Sequence, residues 1–204
     1  MKKISVVSVM LALLVGLGAN NACAGNYVSG NLGAVFVEDA DWDDRWDSGE
    51  FTFDTGIGLT GALGSTLGNG ARGEIELGYR TNDFDKVKFD GGGSYGLDGD
   101  VSTLSLMGNA YYDFPVGGPL TPFIGGGLGI ANITADIDDI GDDDDTVFAY
   151  QFILGAGLVA SEAVTVDLQY RYFATSDPEF EDEFDDLDTE YATHNLMVGV
   201  RYSF

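Results

Sequence analysis

Eight charged residues sit inside alternating stretches of this chain: Arg72, Glu74, Glu76 and Arg80 in one, Asp113 in a second, Asp167 and Arg171 in a third, Arg201 in a fourth. Four guanidinium groups against four carboxylates make a charge-balanced set, and arginine's planar fork suits paired hydrogen bonds to carboxylate. Such a set serves either as acid–base machinery with shifted pKa values or as a buried ion-pair network, and its balance favours the network. His194, the single histidine, is the natural general base near neutral pH. No His-x-Ser pair accompanies it, and its register puts it on the apolar face of its strand or at the rim of that face. An interfacial polar role is the simpler reading. No catalytic residue, cofactor-binding residue or metal ligand is assigned.

Acidic clusters invite a metal reading. Asp39, Asp41, Asp43 and Asp44 fall close together, as do Asp136, Asp138 and Asp139, followed by Asp142 to Asp145. Calcium takes six to eight hard oxygens, and no cluster matches the twelve-residue Asp-x-Asp-x-Asp-Gly loop. Solvated charge runs are the plainer account. No cofactor is expected, with weak Ca²⁺ or Mg²⁺ binding at the acidic connections as the secondary hypothesis.

The elements that must position these charges are strands. Tyr191 to Phe204 alternates with a period of two: His194, Leu196, Val198, Val200, Tyr202 and Phe204 on one face, Asn195, Met197, Gly199, Arg201 and Ser203 on the other. Successive side chains of a strand point to opposite faces, so this is a strand with one apolar and one mostly polar face. Seven further segments read the same way: Tyr27–Val37, Phe51–Leu63, Ala71–Arg80, Val101–Phe114, Thr121–Thr134, Thr146–Val159 and Val164–Phe173. In the glycine-rich Thr121–Thr134 segment, Ile124, Leu128 and Ile130 are expected outside and Gly125, Gly127 and Gly129 inside. The connections alternate too. Gly64–Gly70, Pro115–Leu120 and Ala160–Ala163 are short. Glu38–Glu50, Thr81–Asp100, Ala135–Asp145 and Ala174–Glu190 are long and hold 28 of the 34 acidic residues. Tight turns at one end and long charged connections at the other describe an up-and-down transmembrane barrel, and an even strand number returns both ends to the short-turn, periplasmic side.

Composition narrows the class. Lys2 and Lys3, the apolar run Ile4–Leu17 and Ala22-Cys23-Ala24 read as a secretory signal peptide over residues 1–24, cleaved to leave a barrel domain over 25–204. Cleavage removes the only cysteine, so no disulfide staples the fold. A formal net charge of −25 excludes nucleic acid as a partner. With 45% hydrophobic and 12% aromatic residues, the chain has enough apolar surface to fold.

Four of the seven basic residues beyond the leader sit mid-strand on the polar faces, whereas a soluble sandwich would scatter lysine and glutamate over its wet faces. The apolar faces carry no charge, as lipid contact demands: a charge at the bilayer midplane costs about 2–4 kcal/mol. An eight-stranded barrel has an interior that side chains fill, so the inward charges must pair. Aromatics gather at strand ends as two girdles would: Phe114, Tyr202 and Phe204 at one, Phe36, Phe51, Phe53, Tyr79, Phe148, Tyr172 and Tyr191 at the other. Glycines within strands are expected to make room for arginines and tyrosines across the lumen.

The closing strand resembles that of the OmpA-like outer-membrane β-barrel proteins, in particular the porin-family surface antigens, through His194, Asn195, Gly199, Arg201, Tyr202 and Phe204. Arg72–Arg80, Asn109–Phe114 and Tyr170–Phe173 resemble the third, fourth and seventh strands of that family. The resemblance implies a bare barrel without a peptidoglycan-binding domain. It also implies that Val200, Tyr202 and Phe204 carry the signal read by the outer-membrane assembly machinery. The family carries no shared catalytic activity. The expectation is therefore an all-β, eight-stranded antiparallel transmembrane barrel with four long acidic extracellular loops and three short periplasmic turns. It would sit in the outer membrane of a Gram-negative bacterium, against lipid and lipopolysaccharide. Its role would be structural or surface-exposed: envelope integrity, adhesion to a host or surface ligand, or surface antigen. A small-solute pore and a lipid A-modifying enzyme with His194 as base are the rivals.

Overall fold

The computed structural model describes residues 25–37, 40–44, 47–89, 93–96, 99–137, 141–176 and 191–204. Eleven strands run in chain order: β1 (Asn26–Val37), β2 (Ala40–Asp44), β3 (Asp47–Phe53), β4 (Gly56–Gly68), β5 (Ala71–Phe89), β6 (Gly93–Gly96), β7 (Gly99–Asp113), β8 (Leu120–Ile137), β9 (Gly141–Val159), β10 (Val164–Thr175) and β11 (Ala192–Ser203). Eight of them close a ring. β1 pairs β4, β4 pairs β5, β5 pairs β7, and β7 to β11 follow in order, every pairing antiparallel. β11 returns to β1 from Tyr27↔Ser203 to Val37↔Thr193. Closure leaves no edge with unpaired amides, which a hydrocarbon surrounding requires.

Alternation decides which side faces out. On β11, Leu196, Val198 and Val200 are exposed while Asn195, Met197 and Arg201 are buried. The same split runs round the ring, so Leu32, Ile75, Leu104, Leu106, Phe152, Leu154 and Leu168 form a continuous apolar outer wall. On β8, Ile124, Leu128 and Ile130 lie outside as expected.

The short turns have the chemistry that tight reversals need. Gly68, Asn69 and Gly70 all take positive φ, at 87°, 53° and 83°. Glycine and asparagine are the residues that adopt this region at low cost. In the 160–163 turn, Ser161 Oγ accepts from Val164 N at 3.1 Å.

The long connections depart from the sequence reading. Ala135–Asp145 was expected as a loop, but β8 and β9 remain paired through Ala135↔Asp143 and Ile137↔Gly141. β5 likewise runs past Arg80 to Phe89, pairing β3 and β6. The Phe51–Leu63 segment is divided into β3 and β4 by Asp54 and Thr55. Beyond a bilayer neither face must be apolar, so alternation fades while backbone pairing continues. Residues 1–24, Asp39, Asp138, Asp139 and most of Ala174–Glu190 lie outside the described residues.

Candidate functional site

All eight charges singled out from the sequence point into the lumen. Arg72, Glu74, Glu76 and Arg80 alternate inward along β5, and Arg171, Asp167 and Arg201 are buried on β10 and β11. Asp113, at the end of β7, is half-buried at the short-turn mouth.

They form two layers. Nearest the short turns, Arg72 Nε donates to both Asp113 oxygens at 3.0 Å. Arg201 Nη2 meets Asp167 at 3.1 Å and Arg201 Nη1 lies 3.8 Å from Asp113. The Arg72 guanidinium stands 4.0 Å from the Tyr111 ring centroid and 4.9 Å from that of Phe123. Deeper in, Arg171 Nη1 donates to both oxygens of Glu76, at 2.6 and 2.7 Å, with both side chains buried.

Neutral groups that composition alone does not flag join the layers. Arg72 Nη1 donates to the Tyr27 hydroxyl at 3.3 Å, and that hydroxyl donates to Glu74 at 3.0 Å. Glu74 also accepts from the Tyr111 hydroxyl at 2.6 Å and from Asn109 Nδ2 at 3.2 Å. Gln151 Nε2 bridges Asn109 Oδ1 (2.8 Å) and Glu76 (3.1 Å). Asn195 Nδ2 donates to the Arg171 carbonyl at 3.3 Å, and its Oδ1 accepts from Arg80 Nε at 3.1 Å. A hydrogen-bonded column thus runs from Asp113 to Arg80. Asn31, Thr60 and Gln169 form a second cluster on the β1 side.

The pairing corrects the sequence expectation at two points. Among the described residues, Arg80 meets no carboxylate within ion-pair distance and Glu74 meets no arginine; both rest on neutral partners. The two sit six residues apart on β5, on the order of 20 Å along the strand at about 3.3 Å per residue, too far to neutralise one another. Counting charges in sequence shows the balance but not the level at which each one lies.

Interior glycines supply the space. A Cβ on Gly64 would strike the Tyr27 ring, one on Gly125 the Tyr111 ring, one on Gly127 the Asn109 amide and one on Gly155 the Phe123 ring. Two apolar clusters complete the filling. Tyr111, Phe123 and Ile153 pack at the short-turn end. At the other end lie Val101, Met107, Ala131, Ile133, Val147, Ala149 and Phe173, with Tyr191 against them. Tyr191, expected in an outer girdle, therefore packs inward instead: it precedes β11, where its register follows the buried Thr193 and Asn195.

His194 is outside. Its Nδ1 lies 2.6 Å from the Tyr170 hydroxyl, and its ring packs with Tyr170 and Tyr172 on the outer wall. A recess of about 620 Å³ lies where Gly108, Gly126 and Gly127 thin the wall beside Phe148 and Phe152. Glu74 is the one ionisable acid in its lining, and its oxygens are held by Tyr27, Tyr111 and Asn109. Among the described residues no three His, Cys, Asp or Glu side chains group as metal ligands.

Residues 6–204 match the family described as outer membrane protein beta-barrel domain. Outer membrane protein PagN of Salmonella typhimurium is 31% identical over 121 residues, 51% of each chain. The matched region thus spans about half the length of that relative. An uncharacterized protein of Brucella abortus is 26% identical over 197 residues, 74% of this chain and 68% of its own. Among solved structures, Neisserial surface protein A aligns with a TM-score of 0.62 at 19% identity, covering 89% of this chain and 98% of that one. OprG of Pseudomonas aeruginosa aligns at 0.55 with 18% identity, covering 89% and 96%.

Proposed function

This chain belongs to the outer membrane protein β-barrel domain family, and from that premise we propose that it is a sealed, non-catalytic barrel that displays its long acidic connections at the cell surface. Its place is the outer membrane of a Gram-negative bacterium. The role is envelope integrity, adhesion or surface presentation. The single observation that supports it most is the filled lumen: a hydrogen-bonded column, ion-paired in part, from Asp113 to Arg80, with an apolar cluster at each end. Buried charges held by ion pairs and neutral hydrogen bonds brace a wall; they leave no open path for a solute to cross.

The rest of the reading follows the same logic. Residues 1–24 act as a cleaved leader. The outward-facing Val200, Tyr202 and Phe204, all exposed, present the pattern that the assembly machinery reads. The short turns face the periplasm and the acidic connections face outward. There, millimolar Ca²⁺ or Mg²⁺ bridges them weakly to lipopolysaccharide phosphates, and a host or surface ligand has its access. His194, paired with Tyr170 on the lipid-facing wall, acts as an interfacial polar residue.

Single-channel recording of the protein in planar bilayers tests the sealed lumen. The expected trace is free of steady conductance. A stable, ohmic open level would replace this reading with that of a small-solute pore.

A further inference from the structure

Among the described residues, three of the four interior arginines have a carboxylate within 4 Å, and the fourth has none. Arg80 is fully buried. Its Nε donates to Asn195 Oδ1 at 3.1 Å and its Nη1 to Ser105 Oγ at 3.2 Å. Its guanidinium carbon lies 4.0 Å from the centroid of the Phe173 ring. Its Nη2 has no partner. The nearest acid along its own strand is Glu76, four residues away, and both Glu76 oxygens are already engaged by Arg171. Glu74 is farther still and is held by two tyrosines and an asparagine.

Neutral dipoles solvate a guanidinium in part, but they do not cancel its charge, and an uncompensated buried charge is strongly disfavoured. Arginine does not escape by losing its proton. Among the described residues no carboxylate lies close enough to supply the counter-charge.

The groups around Nη2 suit one kind of visitor. Thr103 is the cross-strand partner of Arg80 between β5 and β7. It is fully buried. The Tyr191 hydroxyl lies within hydrogen-bonding reach of the Thr103 hydroxyl and in the field of Arg80, and neither hydroxyl has a further partner. An unpartnered guanidinium N–H and a pair of hydroxyls, which can bond each other and still leave one O–H to donate, are thus gathered at one level of the lumen. Phe173, Val101 and Ile133 belong to the buried apolar cluster against which Tyr191 packs, so this level is screened from bulk water.

We propose that Arg80 Nη2 and the Thr103 and Tyr191 hydroxyls bind one small inorganic anion of halide size as the counter-ion of the outer lumen. The free guanidinium N–H, carrying full positive charge, and the O–H left over by the hydroxyl pair suit a spherical monovalent anion. A water molecule would satisfy the donors and leave the charge.

The test compares thermal unfolding of the refolded full barrel in chloride, bromide and gluconate at equal ionic strength, with bromide anomalous scattering from crystals. The expected result is a saturable rise in the melting midpoint with chloride or bromide over gluconate. One bromide peak should lie at hydrogen-bond range from Arg80 Nη2. The anion effect should vanish in Arg80→Met and weaken at least severalfold in Thr103→Val. Should Arg80→Met fail to fold, Thr103→Val and the wild-type scattering still decide. Equal midpoints in all three salts, or a water without anomalous signal at Nη2, overturns the proposal. So does a bromide peak with no saturable effect in solution, which would mark an adventitious ion only.

Discussion

Removing Arg171 should be among the most damaging single changes in this barrel. Its Nη1 sits 2.6 Å from Glu76 Oε2 and 2.7 Å from Oε1, and both side chains are screened from water. In Arg171→Met, Glu76 keeps one neutral donor, Gln151 Nε2 at 3.1 Å, and stays buried without a cation. Breaking a buried pair from one side costs about 3–5 kcal/mol, whereas an exposed pair is worth about 0.2–1 kcal/mol. Glu76→Gln should cost a similar amount, because it leaves Arg171 as a second unneutralised guanidinium near Arg80. The double variant Glu76→Gln/Arg171→Met removes both charges together and should come back to within about 2 kcal/mol of wild type. Reversible urea unfolding in lipid vesicles, followed by the circular dichroism of the strands, measures all four proteins. The midpoint shift multiplied by the slope gives each difference. A loss below about 1 kcal/mol in Arg171→Met would refute the reasoning. So would a double variant whose loss equals the sum of the singles, since residues in contact should couple.

Other outcomes follow from the same geometry. Gly155→Leu and Gly127→Leu should abolish or strongly slow the recovery of the heat-modifiable folded band on gels. A side chain at 155 would meet the Phe123 ring and, at 2.7 Å, the Leu168 carbonyl, and one at 127 would meet the Asn109 amide; overpacking of this kind costs about 1–3 kcal/mol or more. His194→Ala should leave lipid A mass spectra and barrel stability nearly unchanged, since His194 packs on the outer wall against Tyr170 and Tyr172; loss of a lipid A modification would reinstate it as a catalytic base. Phe204→Ala combined with Tyr202→Ala should lower the amount of barrel in outer-membrane fractions without lowering stability of the refolded protein. Equal outer-membrane levels would remove these residues from the assembly signal.

What the sequence reveals depends on whether a residue has to obey two environments at once. On β10, Val166, Leu168 and Tyr170 face outward and Asp167, Gln169 and Arg171 inward, and the alternation is legible because one side must be greasy and the other ionic. The inner apolar cluster was not legible. Val101, Ile133, Val147 and Phe173 face inward, interleaved with Thr103 and Arg80, so at that level the inward face is not marked by polarity and the period fades. The paired ribbons beyond the barrel were missed for the opposite reason, since water on both sides asks for no pattern. The roster of buried charges was readable as a set, but their partners were not. Arg72 reaches Asp113 across forty-one residues and Arg171 reaches Glu76 across ninety-five, and only strand stagger decides such meetings. Asn82 illustrates the limit: its Nδ2 ties the Val35 and Asp54 carbonyls together where β4 begins, and nothing in its type or spacing announces that brace.

The two-sided wall itself is the most directly testable point. Cysteine occurs only at position 23, so refolded protein from residue 25 onward accepts single cysteines at Val166, Asp167, Leu168, Gln169 and Tyr170 for spin labelling in vesicles. Labels at 166, 168 and 170 should relax with lipid-soluble oxygen and be shielded from a water-soluble nickel chelate, while those at 167 and 169 should be shielded from both. Chelate access at 166, 168 and 170 equal to that of a label on a short turn would contradict a barrel standing in hydrocarbon.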